Sequence, residues 1–162
     1  KTFTLMLEAI KLIPTTERPK IIIAGDGIRE NEVRELMLNA ADSDGIEAEV
    51  SGAFMPDQFQ ELVKQLDVMF AIYPPERGNI LQGALPVKMF DAAANGVPSV
   101  VNSGCLMGEI AETEGIGKAV EWNDAQAACD ALLELRNKTV ELTITSQREK
   151  EKFLSTVLPL ID

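Results

Sequence analysis

Short apolar runs that alternate with stretches of helical spacing constrain this chain more than any other feature. Lys20-Ile-Ile-Ile-Ala24 is one such run, broken by Gly25-Asp26-Gly27. Val68 to Ile72 is another, stopped by Pro74-Pro75. Runs this short, with no polar alternation, suit strands buried on both faces of a parallel sheet. Pro98 to Asn102 and Ala119 to Trp122 also read as strands, and Ile46 to Val50 alternates and ends at Gly52. Between them lie helical patterns. Phe3, Met6, Leu7, Ile10 and Ile13 form the first, which Pro14 stops. Val33, Leu36, Met37 and Ala40 form the next, ending between Asp42 and Gly45. Asp57 can cap a helix carrying Phe59, Leu62, Val63 and Leu66. Pro86 opens a helix through Met89, Phe90, Ala93 and Ala94, closed by Asn95-Gly96. Gly104 to Glu112 reads as a glycine-punctuated loop with a short helix. Asn123 or Asp124 caps a helix through Leu135. Ser146 and Glu149 form a capping box for a last helix with Phe153, Val157 and Leu158. Glu76 to Ala84 reads as a loop.

This order predicts one α/β domain over the 162 residues. Its expected fold is a doubly wound, Rossmann-like three-layer sandwich around a mostly parallel sheet, joined by right-handed crossovers. The pattern also predicts a strand ahead of Lys1. The chain opens inside a helical pattern, so it reads as a fragment of a longer protein. In such sheets ligands sit beyond the C-terminal strand ends. The loops at Gly25, Gly52, Tyr73 to Leu85 and Asn102 to Gly108 are therefore the search region.

Composition narrows the chemistry. The net charge is −11, which argues against nucleic acid and anionic membrane as partners. There is no histidine, so a Ser–His–Asp triad and His-based metal sites are excluded. Cys105 and Cys129 have no metal spacing and read as reduced, packed thiols of an intracellular protein. No apolar run approaches a membrane span, and no signal peptide opens the chain.

The helix that Pro86 opens is the main candidate site. Gly83-Ala84-Leu85 precede it, and none carries a side-chain acceptor. The first N–H groups, at Val87, Lys88 and Met89, therefore lack an obvious partner and could hold an anion. Lys88 and Asp91, three apart, share a helix face. Spacing alone leaves two readings open: a phosphate and hydroxyl site, or a surface ion pair on a solvated helix end. Gly25-Asp26-Gly27 sits between strand and helix, as a dinucleotide fingerprint does. Glu30 stands where its third glycine belongs, so a tight turn with positive φ at Gly27 is the simpler reading. Glu76-Arg77 falls in a loop that could close over a ligand.

The segment Leu85-Pro-Val-Lys-Met-Phe-Asp-Ala-Ala-Ala-Asn-Gly-Val-Pro-Ser-Val-Val101 resembles the signature of retaining GT-B glycosyltransferases of the GT4 type. In that family Pro-x-Lys-x-Phe-Glu runs into Ala-x-Gly-x-Pro-Val-Val. Lys1 with Leu5 to Ala9, Ile21 to Gly27, Gly52 with Asp57 to Val68, Gly104 to Glu112, and Ala119 to Leu135 are similar to further family blocks in the same order. The resemblance implies a two-lobed enzyme of which this is the C-terminal, donor-binding lobe, the N-terminal acceptor lobe being absent. It implies a nucleotide-diphosphate sugar as partner, retaining hexosyl transfer, no cofactor and no metal. Asp91 would bond the donor ribose. Lys1 and Lys88 would face the diphosphate, and the turn at Gly25, Asp26 and Gly27 and the helix start at Ala84, Leu85, Pro86 and Val87 would also bind the donor. Ala53 and Phe54 would lie near the base. Gly83 stands where the family's first acidic residue belongs. No catalytic residue is assigned to this lobe. The implied location is cytoplasmic, with peripheral membrane attachment through the other lobe. Two alternatives remain: a non-catalytic lobe binding nucleotide or protein, and a lobe of a sugar-nucleotide epimerase.

Overall fold

The computed structural model describes residues 1–55 and 58–160. Its strands are β1 (Ile21–Ala24), β2 (Ala48–Ser51), β3 (Met69–Ala71), β4 (Ser99–Asn102) and β5 (Gly117–Val120). Its helices are α1 (Thr2–Lys11), α2 (Glu30–Asp44), α3 (Phe59–Val63), α4 (Gly78–Leu81), α5 (Val87–Ala94), α6 (Leu106–Thr113), α7 (Ala125–Leu135) and α8 (Ser146–Val157). Every strand pairing is parallel, and helices cover both faces, as the pattern predicts.

One layer holds α1, α2 and α7. Leu5, Ala9 and Ile13 of α1 pack with Ile72, Val100 and the α7 residues Ala128 and Leu135. Met6, Leu7 and Ile10 of the same helix pack with Ile21 and Met37. The opposite layer holds α3, α5 and α6. Met89, Ala93, Met107 and Ala111 pack there on Ala71 and Val101. Val63 of α3 meets Ala92 and Val97.

The sheet is not continuous. Among the described residues β1 pairs with β2 alone, and β3, β4 and β5 form a separate sheet with β4 in its middle. Apolar runs identify strands, but they do not say which strands are neighbours.

Local corrections have local causes. The expected loop from Glu76 to Ala84 contains α4, a single turn closed by the Gln82 N–H on the Gly78 carbonyl at 3.2 Å. The last strand is shifted back from Ala119–Trp122 to Gly117–Val120, where it registers with Ser99 to Asn102. The cap of α8 is Thr145, whose hydroxyl accepts from the Arg148 N–H at 3.1 Å, so Ser146 and Glu149 form no capping box. Asp124, rather than Asn123, caps α7 by accepting from the Ala127 N–H at 2.8 Å. The positive φ of the first turn belongs to Gly25, at +139°, and not to Gly27, because the reversal begins where the Gly25 N–H still bonds the Gly52 carbonyl. Asp57, expected to cap α3, lies outside the described residues. Both cysteines are buried and free. No helix of the described residues is long and apolar enough to cross a membrane.

Candidate functional site

The C-terminal ends of β1 and β3 open on a common mouth. Lys1, Gly25, Asp26, Gly27, Tyr73, Arg77 and Lys88 all line the cavity of about 1510 Å³ behind it. Lys1 caps the start of α1, and its ammonium lies 2.5 Å from the Glu76 carboxylate. The ammonium's hydrogen bond holds the Glu76 carboxyl below the usual carboxylate range.

Lys88 does not pair with Asp91. Its stem is largely buried, and Nζ donates to the Phe70 carbonyl at 3.4 Å. Nζ also stands 4.8 Å from the centroid of the Tyr73 ring, within cation–π range. The Arg77 guanidinium lies 5.6 Å from the same ring. Burial first, and then the nearby Arg77 charge, lower the Lys88 pKa. Burial raises that of Tyr73.

Asp91 opens on a different space. With Phe54, Phe59, Gln60, Ala94 and Asn95 it lines a second cavity of about 490 Å³. The Phe54 and Phe59 rings stack there with centroids 5.9 Å apart. Phe54 borders both cavities and is partly exposed. Ala53 is exposed beside it.

The start of α5 is uncapped by any side chain among the described residues. Met89 nevertheless donates to the Pro86 carbonyl at 3.1 Å, so of the three N–H groups expected free those of Val87 and Lys88 lack a backbone partner among the described residues. Leu85 and Val87 are exposed, and Ala84 packs under the loop. None of Ala84 to Val87 lines either cavity. Gly83 has φ +91°. An acidic side chain at that position would be strained by its backbone.

The structure therefore joins Lys1, the Gly25 turn and Lys88 at one mouth, and Phe54 and Asp91 at a neighbouring pocket. It adds partners that spacing did not single out. Asn102, buried at the end of β4, accepts from the Tyr73 N–H at 2.7 Å and donates to the Tyr73 carbonyl at 2.9 Å. That pair fixes the ring on which Lys88 and Arg77 converge. An amide residue closing the buried Ser99-Val100-Val101 stretch was the available signal.

A parallel α/β fold with cations and aromatic rings gathered beyond the C-terminal strand ends has these side chains where sheets of this kind present their ligand sites. The model of the family described as glycosyl transferases group 1 matches residues 1–138. The chain belongs to that family. No curated protein matches it.

Proposed function

We propose that this chain is the donor-binding lobe of a GT4-type retaining glycosyltransferase, holding a nucleotide-diphosphate sugar for hexosyl transfer to an acceptor carried on a second lobe. The observation that carries the reading is the meeting of Asp91 with the Phe54 ring in one pocket, beside the mouth where Lys1 and Lys88 converge. A base can lie on Phe54 while Asp91 accepts from ribose hydroxyls. The diphosphate then reaches toward the free N–H groups of α5 and the lysines.

In this reading the lobe acts electrostatically. Fixed N–H dipoles and ammonium groups stabilise the charge that develops on the departing diphosphate, in the role a divalent ion plays elsewhere. Binding is therefore metal-independent, and the lobe alone transfers no sugar, since the acceptor is not positioned.

Calorimetry with a nucleoside diphosphate in excess chelator tests this. Hydrogen bonds to a charged acceptor contribute about 1.5–3 kcal/mol, so Asp91→Ala should weaken binding about tenfold or more with little change in melting temperature. Unchanged affinity in Asp91→Ala, or binding only with Mg²⁺ or Mn²⁺ present, sinks the reading. Gly83 favours one alternative, a lobe that binds nucleotide without transferring sugar, because a backbone at φ +91° disfavours the acidic residue expected there. Transfer by the two-lobed protein separates the two.

A further inference from the structure

Polar side chains are unevenly shared among the loops beyond the C-terminal strand ends. Lys1, Asp26 and Arg77 line the mouth between β1 and β3. The loops that lead into α5 and α6 differ from it. Residues 83–87 read Gly-Ala-Leu-Pro-Val, and residues 104–108 read Gly-Cys-Leu-Met-Gly. No side chain in either stretch carries an oxygen or a nitrogen. The polar residues Gln82, Lys88, Ser103 and Glu109 bracket them. The one thiol, that of Cys105, is turned inward and donates to the Asn102 carbonyl at 3.4 Å.

The two stretches meet. α4 packs on α6, and a Cβ at Gly83 would lie 3.7 Å from Leu106 Cδ2, so the Leu106 side chain covers the Gly83 backbone. Gly108 holds α6 in place there. A Cβ at Gly108 would run into the Asn102 carbonyl oxygen, so only glycine lets this helix start so close to β4. Leu81, Leu85, Val87 and Leu106 are all exposed. Single exposed apolar residues are ordinary, but four on two adjoining loops form a surface. Glu109, the acidic residue of the first turn of α6, lies about 4.5 Å further along the helix axis than Leu106, away from the strand ends.

The direction of the donor, which rests on the function proposed above, places a sugar on that surface. The base lies at Phe54, beyond β2, and the diphosphate at the start of α5, beyond β3. β4 is the next strand after β3, and α6 follows it. A sugar joined to the diphosphate continues the same way, to the start of α6. A hydroxyl laid against these side chains gives up water and finds no side-chain acceptor, whereas a methyl group gives up nothing. An acidic acceptor at Gly83 is disfavoured by its φ of +91°. We infer that the donor sugar is a 6-deoxyhexose, whose C5 methyl rests on Leu106 and Leu85 beside Gly83. Leu106 is then the residue that determines the choice of sugar.

Calorimetry on the 162-residue chain first identifies which of UDP, GDP, dTDP and ADP binds. The glucose and mannose esters of that diphosphate are then compared with their 6-deoxy counterparts. In at least one pair the 6-deoxy ester should bind about tenfold tighter than its parent sugar. Leu106→Gln sets an amide at the same place and should bring that ratio to about one or below. The ratio is taken within the variant, so a loss common to both esters cancels. If Leu106→Gln does not fold, Leu85→Gln is read the same way. A diphosphate that binds while both sugar pairs bind equally, or while the hydroxylated sugars bind tighter, overturns this inference and leaves the donor reading standing. So does a ratio that the variant leaves unchanged. If none of the four diphosphates binds, the donor reading fails and this inference with it. Self-association of the chain in sedimentation that Leu106→Gln abolishes gives the surface to a second copy, and is equally fatal.

Discussion

Strands β1 and β4 are both four residues long with β-branched residues at their centres, yet they have different surroundings. All four residues of β4 are buried, between β3 and β5 and under helices on both faces. In β1 only Ile21 is buried, and Ile22, Ile23 and Ala24 are half-exposed along the larger cavity. Hydropathy records what a strand requires. Whether the requirement is met depends on having a neighbour along each edge. The difference also bears on the site. Tyr73 and Asn102 stand on the finished sheet, with their backbone and amide groups paired. Lys88 reaches from the same side across to a carbonyl on the unfinished edge.

The largest expected effect sets the two sheets against each other. Gly117 on β5 registers with Ser99. A Cβ there would run into the Ser99 carbonyl oxygen, a backbone atom held in the ladder, with Ala111 Cβ at 3.4 Å on the other side. Gly117→Ala should cost about 3 kcal/mol, at the upper end for overpacking. Ile22→Ala truncates a side chain instead of adding to one, but it does so beside space that is already empty, and should cost about 1 kcal/mol. Urea denaturation measures both. Equal losses would break the contrast between a finished and an unfinished sheet.

A smaller effect is expected at Asn102. Its amide satisfies both backbone groups of Tyr73. Asn102→Leu keeps the volume and leaves those groups unpaired, which should cost about 2 kcal/mol. The Tyr73 amide should exchange faster while Val100 in mid-strand does not. If exchange at Tyr73 is unchanged, Asn102 does not position the ring.

Much of this was legible in the sequence because burial and periodicity are local. Phe3 to Ile13 form one face of a helix whatever lies around it, and the strand runs carry their own hydropathy. The parallel, doubly covered arrangement follows from the same alternation. Strand neighbours were not legible, since the break between β1 and β3 is a property of edges far apart in the chain. Helix α4 was missed because a single turn containing Gly78 has almost no propensity signal. The direction of Lys88 was missed for a different reason. Spacing put it beside Asp91, but its rotamer answers to an unpaired carbonyl on β3. Phe54 and Asp91 line one pocket, and the helix start at Ala84 to Val87 remains apart from both cavities.

The smallest effect tests the rim of the finished sheet, where α8 is tethered. No residue of α8 is buried. Its link to the body is Arg148, which donates to both oxygens of Glu114 at 2.6 and 2.7 Å, with the Thr143 hydroxyl also donating at 2.7 Å. The Arg148 hydrogen bonds, then that of Thr143, lower the Glu114 pKa from 4.5 to about 2. A carboxyl whose pKa is lower in the folded state stabilises that state fully above its ordinary value. The contribution is lost as pH falls from about 4.5 through about 2. Attachment of α8 should therefore be complete at neutral pH and weaken across that acid window. Exposed pairs contribute little to global stability and are screened by salt, so the change should show in α8 and not in β4. Amide exchange of α8 relative to Val100, followed from pH 6 to pH 2, reads this directly. The carboxyl carbon shift of Glu114 should titrate near 2 in the parent and near the ordinary carboxylate value in Arg148→Met. In that variant α8 should exchange fast at every pH. Equal α8 protection at pH 6 and pH 2 in the parent would show that something other than this ion pair holds the helix.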